Sequence, residues 1–215
     1  MRDLRRKEKS MKAEEQVAPV AFKSQRTTFQ EYSEALVVAV ILAILIRAVF
    51  VQAFKIPSGS METTLLIGDH ILVNKLVYGI RVPFTSLRWP RIHDPRRGDV
   101  IVFVYPEDRA KDFIKRVVAV GGDTVEIQSK RVYINGEPVE NPHARFVDSN
   151  IQHSRRDNMP PTKVPEGHLF VMGDNRDQSH DSRWWGFVPI EDVKGEAFLI
   201  YYSSHHLGRL FKIIR

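Results

Sequence analysis

A single N-terminal membrane-spanning helix followed by a mainly β domain is the fold class this sequence predicts, and three observations carry it. One stretch near the N-terminus is apolar over a length that matches a bilayer core. Downstream, the chain changes to short strand-like runs rich in Val, Ile, Phe and Tyr. Gly-Asp and Asn-Gly pairs, which readily form turns, punctuate those runs.

The first element is the apolar stretch. Residues 35 to 46 are uninterrupted apolar, and after Arg47 the pattern resumes through Ala48-Val49-Phe50-Val51. A helix from about 33 to 53 would reach about 30 Å, the thickness of a bilayer core. Arg47 falls in its final third, where the side chain can snorkel toward the headgroups. A buried core helix is the competing reading, but the polar, charge-rich segment before it offers little to cover an all-round apolar surface. A cleaved secretory signal fits less well, because the basic region is long and no small-x-small site follows. Eight Lys and Arg precede the span, against only Lys55 between its end and residue 74. That bias puts residues 1–32 in the cytoplasm, 33–53 in the membrane and 54–215 outside the cytoplasm.

The strand-like runs come next, at Ile71-Leu72-Val73, Val100 to Val104, Val117 to Val120, Val125-Glu126-Ile127, Leu169 to Met172 and Ala197 to Tyr202. Arg131 to Ile134 followed by Asn135-Gly136 predicts a hairpin, since Asn-Gly accepts the positive φ angles of a type I′ turn. Gly-Asp recurs at 68–69, 98–99, 122–123 and 173–174, beside these runs, and a turn is enough to explain the first three. Residues 138–165 are proline-rich and polar without a clear period, and read as a long loop or insertion within the β-rich domain.

Composition narrows the chemistry. At 215 residues and 43% hydrophobic, the chain can build one large domain or two modest ones. The net charge of +6 is scattered except for a cluster in the first twelve positions, which reads as a topogenic signal and not as a nucleic-acid surface. With no cysteine there is no disulfide, thiol nucleophile or thiolate metal site. Eight histidines form no His-Glu-x-x-His pattern, and His205-His206 cannot put both rings on one face of a regular element. Neither a metal nor another cofactor is expected.

Two hydroxyls flank a glycine immediately after the apolar segment, in Phe54-Lys55-Ile56-Pro57-Ser58-Gly59-Ser60-Met61. Serine is a poor nucleophile at neutral pH without a base, and Lys115 offers one inside the apolar run Phe113 to Val120. Burial there would favour its neutral form. Composition does not choose between Ser58 and Ser60. The segment from Gly173 to Gly186 concentrates polar, charged and turn-forming residues between a strand and paired tryptophans, the composition of a loop held by its own hydrogen bonds.

Taken together, Pro57-Ser58-Gly59-Ser60-Met61, Lys115-Arg116 and Gly-Asp-Asn-Arg-Asp-x-Ser-x-Asp-Ser-Arg-x-Trp-Gly resemble the sequence boxes of bacterial type I signal peptidases. These are membrane-bound Ser/Lys endopeptidases that remove signal peptides from exported proteins. The resemblance runs in order from the membrane segment to about residue 188. Some relatives have two spans where this chain has one, and 138–165 follows no family pattern.

The resemblance implies Ser60 as nucleophile and Lys115 as general base. It gives the Ser58 hydroxyl and the Ser60 N–H as oxyanion donors, Ser179 as the group that hydrogen-bonds and orients the lysine amine, and Asp181 with Arg183 as a supporting ion pair. Phe54, Ile56, Met61, Leu65 and Ile114 are implied to line shallow pockets for small substrate residues. An extended substrate could pair with strand edges near 54–58 and 112–115. No acid should sit directly against Lys115, since an anion would raise its pKa, so Asp112 is expected to point away.

The partners implied are signal-peptide-bearing preproteins and membrane lipids, with no nucleic acid. The location implied is the bacterial cytoplasmic membrane, with the catalytic domain on the outer, periplasmic side. Two alternatives differ in class. A self-cleaving repressor-like protease would need an N-terminal DNA-reading unit, for which residues 1–34 are too short and irregular. A single-pass anchored binding module would rest on the positive charge and the basic, apolar tail Arg209 to Arg215.

Overall fold

Fourteen strands account for most of the regular structure in the computed structural model, which describes residues 28–81, 88–89 and 92–215. The chain divides into two compact units, residues 1–42 and 43–215.

Helix α1 is Thr28–Val49, 22 residues long, or about 33 Å at 1.5 Å per residue. Every described side chain from Leu36 to Ile44 is exposed, so apolar groups cover all sides of the helix. The described side chains of α1 stop at Ile44, so the Arg47 side chain, like residues 1–27, lies outside what is described. Among the described residues no helix is long and apolar enough to cross a membrane.

The expected helical range of 33–53 requires correction, because the helix begins earlier and stops at Val49. Val51–Lys55 forms strand β1. Its apolar residues suit either a helix or a strand, and pairing with strand β2, Asp69–Asn74, from Val51↔Asn74 to Lys55↔His70, decides the matter.

The remaining strands are β3 Ile80–Arg81, β4 Arg88–Trp89, β5 Val100–Val104, β6 Asp112–Val120, β7 Thr124–Gln128, β8 Arg131–Ile134, β9 Glu137–Val139, β10 Met159–Lys163, β11 His168–Met172, β12 Val188–Pro189, β13 Val193–Ser203 and β14 Lys212–Ile213. All six expected runs lie in strands, and that at 117–120 extends back to Asp112. The main sheet has the order β1-β2-β13-β5-β6-β11-β12, with β14 on β13. A four-stranded sheet has the order β10-β7-β8-β9. The segment 138–165 is therefore a loop only in part: strand β10 within it pairs with β7, through Met159↔Ile127 and Thr162↔Val125. Pro160 and Pro161 lie at the register shift between those pairs, where a missing N–H costs the ladder least.

The turns follow the sequence closely. Asn135 (φ 55°) and Gly136 (φ 84°) join β8 to β9 in the two-residue hairpin, with Ile134 opposite Glu137. At each of the first three Gly-Asp pairs the glycine has positive φ, and the aspartate carboxylate accepts the N–H three residues back: Asp69 from Leu66, Asp99 from Arg96, Asp123 from Val120. Gly173 has no positive φ and plays a different part.

Apolar alternation sorts the strands onto two sides of the main sheet. Ile56, Met61, Leu65, Val100, Val102 and Ile200 form one buried cluster, and Ile101, Phe103, Val117, Leu169 and Val171 another. Strand β6 contributes to both: Phe113, Lys115 and Val117 share one face, and Ile114 and Arg116 the other. Strand β11 covers β6 only from Arg116 to Val120, so the β6 edge from Asp112 to Lys115 is left open.

Gly136→Ala should destabilise the fold by about 1–2 kcal/mol, since its open surroundings leave only the left-handed backbone to resist a β-carbon. In thermal unfolding this should appear as a loss of roughly 2–8 °C.

Candidate active site

Ser60 and Lys115 come from elements far apart in the chain. Residues Gly59–Met61 form one turn of 3₁₀ helix, separated from β1 by Ile56 to Ser58, with Ser58 in extended conformation. Lys115 sits on β6 opposite Ile101 of β5. The Lys115 Nζ lies 2.7 Å from Ser60 Oγ, within ordinary hydrogen-bond reach. Ser58 Oγ lies 3.5 Å from Ser60 Oγ and is exposed. As the second residue of the turn, Ser60 has no intrahelical acceptor for its N–H, and none of the other backbone carbonyls among the described residues accepts it.

The lysine is only 4% exposed, and burial pushes its amine down to about 8. Taking an ammonium out of water is the dominant effect. Asp181 and Asp174 act to raise the value and Arg183 to lower it. Neither acid touches the amine, because each is engaged elsewhere. Asp181 binds Arg183 through both oxygens at 2.8 and 2.9 Å, and Asp174 binds Arg116 through both at 2.8 Å. Asp112 pairs with Lys194 at 2.6 Å, pointing away as the strand alternation requires. The Phe113 ring lies 5.5 Å from Nζ and stacks on Tyr105, giving the amine an aromatic wall.

The loop from Gly173 to Arg183 is held by its own bonds and pins the Ser60 turn. Asn175 donates its N–H to the Ser60 carbonyl at 3.2 Å and its Nδ2 to the Gly59 carbonyl at 3.3 Å. Asp174 accepts from Thr64 at 2.6 Å, so the Arg116 ion pair also clamps the segment after Ser60. Arg183 reaches the carbonyls of Arg176 and Arg156, and Asp181 caps the short helix α2, Ser182–Trp185, through the Arg183 N–H. One expected contact is not formed. Ser179 Oγ is buried without a hydrogen-bond partner and makes no bond to the Lys115 amine.

The five expected pocket residues divide. Phe54, Ile56 and Ile114 line a small cavity of about 40 Å³ beside Asp112 and Phe113. It is far smaller than the roughly 340 Å³ groove that holds Ser60, a size that suits a small side chain. Pro57, Asp112, Phe113 and Ile114 also line the larger groove that holds Ser58, Ser60 and Lys115. Met61 and Leu65 line neither of these two cavities: both are fully buried in the core beneath the Ser60 turn. Their place one turn apart, with the Leu65 N–H on the Met61 carbonyl, makes them the floor that supports the turn.

Residues 29–202 match the family described as signal peptidase, peptidase S26. The chain belongs to that family. A signal peptidase I of Pseudomonas fluorescens is 40% identical over 205 residues, covering 80% of this chain and 72% of its own. That of Aquifex aeolicus is 40% identical over 220 residues, covering 77% and 81%. A crystal structure of a signal peptidase I from Enterococcus faecalis aligns with 48% of this chain and 97% of its own, at 32% identity and a TM-score of 0.41. Membership in the signal peptidase family makes the chain a peptidase, with signal-peptide removal as its activity.

Within this signal peptidase, residues without an assigned part in the sequence reading prove structurally central. Thr64, Arg116 and Asp174 form one buried polar cluster, and Asn175 holds the Ser60 carbonyl. Their signal was present in Lys115-Arg116 and Gly173-Asp174-Asn175, but only the folded chain pairs them. Gly173 is the fourth Gly-Asp glycine, and a β-carbon there would collide with both the Ser60 carbonyl and the Ser179 side chain. Gly173→Ala should therefore displace the Ser60 turn and lower kcat about 100-fold, the scale of a misplacement near 1 Å. A steady-state peptide cleavage assay beside circular dichroism separates this from unfolding.

Proposed function

We propose that the chain is a membrane-anchored serine endopeptidase that removes signal peptides with a Ser60/Lys115 dyad, cleaving after small residues. The observation that carries this reading is the 2.7 Å approach of a buried, desolvated amine to a hydroxyl on the rim of an open groove. A serine needs an adjacent base, and a lysine serves only when its ammonium form is disfavoured.

With the amine neutral, the Ser60 hydroxyl donates its proton to Nζ as Oγ attacks the scissile carbonyl carbon. The carbonyl π electrons move to oxygen, and the resulting oxyanion faces the Ser60 N–H and the Ser58 hydroxyl. Collapse breaks the C–N bond, and the Lys115 ammonium gives its proton to the leaving amine. Water then enters, Lys115 takes its proton as the water oxygen attacks the ester carbonyl, and collapse breaks the ester C–O bond with that proton returned to Ser60 Oγ. Ser179, buried and unpartnered, is a candidate to accept a hydrogen bond from the amine once substrate closes the groove.

The groove also suggests how a signal peptide lies. The open edge of β6 from Asp112 to Lys115 and residues Phe54 to Pro57, at the end of β1 and just after it, line common cavities, so an extended segment between them gains backbone hydrogen bonds from a strand edge. The 40 Å³ cavity then selects a small side chain.

Anchoring is supported by α1. Its consecutive exposed apolar residues expose a surface that water disfavours on every side, and its backbone stays helical to Val49, where β1 follows. We assign residues 1–32 to the cytoplasm, the span to the bacterial inner membrane, and the β-rich domain to the outer side, with preproteins as substrates and lipid around the helix.

Lys115→Arg should abolish cleavage of a precursor carrying an Ala-x-Ala site while preserving the fold, because a guanidinium does not deprotonate at accessible pH. Retained turnover in that variant would sink the proposed base. In the parent protein kcat/KM should rise with pH through an apparent value near 8, since protonation of Lys115 below it removes the base. A profile flat from pH 6 to 10 contradicts this. Ile114→Ala should enlarge the small cavity and admit larger residues, read as a shift in cleavage position by mass spectrometry of the new N-terminus.

A further inference from the structure

Away from the Ser60 groove, two cavities of about 340 and 780 Å³ share part of their lining, and Arg176 faces both. Arg176 is 4% exposed, its Nε has no hydrogen-bond partner, and among the described residues its guanidinium forms no ion pair. Such a group is costly to bury unless an anion meets it.

The surrounding charges explain why it stands alone. Arg116, Arg176 and Arg183 are all buried, and the buried carboxylates that act on Arg176 are Asp174 and Asp181. Asp174 spends both oxygens on Arg116, and Asp181 spends both on Arg183. Three guanidiniums against two carboxylates leave one positive charge over, on the residue that lines the cavities. Arg97 and Lys130, which line one cavity each, are already neutralised by Asp123 and Asp177. Exposed Arg131 adds a positive charge to the larger cavity and exposed Arg215 another to the smaller, and Glu140 is the one acidic side chain lining either. Burial and the neighbouring Arg183 hold Arg176 down to about 10, so it remains charged at neutral pH.

We propose that this cavity binds an oxyanion of the phosphate class, with Arg176 as its principal ligand. The guanidinium presents donors in a planar fork suited to such oxygens. The smaller cavity alone exceeds an inorganic phosphate, which leaves room for a phosphate carried on a larger group. The site lies one residue from the contact that holds the Ser60 turn, since Asn175, next to Arg176, donates to the Ser60 carbonyl. The site does not depend on the dyad mechanism.

The test is thermal unfolding of the full chain in neutral detergent, in sodium phosphate against sodium chloride at matched ionic strength. A melting temperature that rises by several degrees and saturates with phosphate is expected, and Arg176→Gln should lose that rise. Glu140→Gln, at an exposed position, should lower the phosphate concentration giving half the rise, because a competing carboxylate is gone. Identical melting in phosphate and chloride, or an equal rise in Arg176→Gln, overturns the proposal. Should Arg176→Gln fail to fold, phosphorus NMR titration of the parent and Glu140→Gln proteins decides: site-specific line broadening that tightens in Glu140→Gln supports the site, and its absence overturns it. A short-chain anionic phospholipid, below its micelle concentration, separates the sources. Displacement of phosphate by it assigns a lipid headgroup, and phosphate binding that it does not displace assigns a free anion.

Discussion

The desolvation of one amine is the constraint on which the rest of the site depends. Lys115 is held where an ammonium ion is disfavoured, and every neighbouring feature either preserves that condition or tolerates it. Two aspartates lie within electrostatic range and would restore the charge if they approached. Each is instead bound by both oxygens to a buried arginine. One of those arginines, Arg116, is the residue directly after the lysine. Strand alternation sends the two side chains to opposite faces of β6, so the cation that removes Asp174 does not itself crowd the amine.

The same ion pair ties three distant segments together. Arg116 brings β6, Asp174 brings the loop after β11, and Thr64 brings the segment that follows Ser60. The Ser60 turn is then fixed from both sides, by Asn175 on its carbonyls and by Met61 and Leu65 packed beneath it. Removing a partner from a buried pair of this kind typically costs about 3–5 kcal/mol, because the remaining charge is left uncompensated. Rigidity here suits the proposed dyad, which would work best with its reacting atoms held in place before substrate arrives. Arg176 shows the limit of the arrangement, since two carboxylates cannot balance three guanidiniums.

Much of the architecture was legible in the chain. The strand runs and the Asn135-Gly136 hairpin follow from period-two alternation and from turn chemistry, both of which are local. Where competing local readings were equally good, the reading failed. Val51 to Ala53 fit the end of a helix as well as a strand, and pairing with β2 settled it. Met159 to Lys163 contains two prolines and reads as loop, yet one edge of β7 holds it as a strand with a shifted register. Met61 and Leu65 were equally suited to pocket and core, and the folded chain buries both completely.

The sequence by itself determined the apolar length of the first helix, the order of the strands along the chain, the turn sites, and a short set of candidate hydroxyl, amine and carboxyl groups. These depend on residues within a few positions of one another. Only the tertiary structure decided which of those groups meet. Ser60 and Lys115 are 55 positions apart, and no local pattern encodes a 2.7 Å contact between them. Nor can the acidity of a lysine be read from its neighbours in sequence, because the energy that lowers it is the loss of water, and water is excluded by residues from several strands packed around one atom.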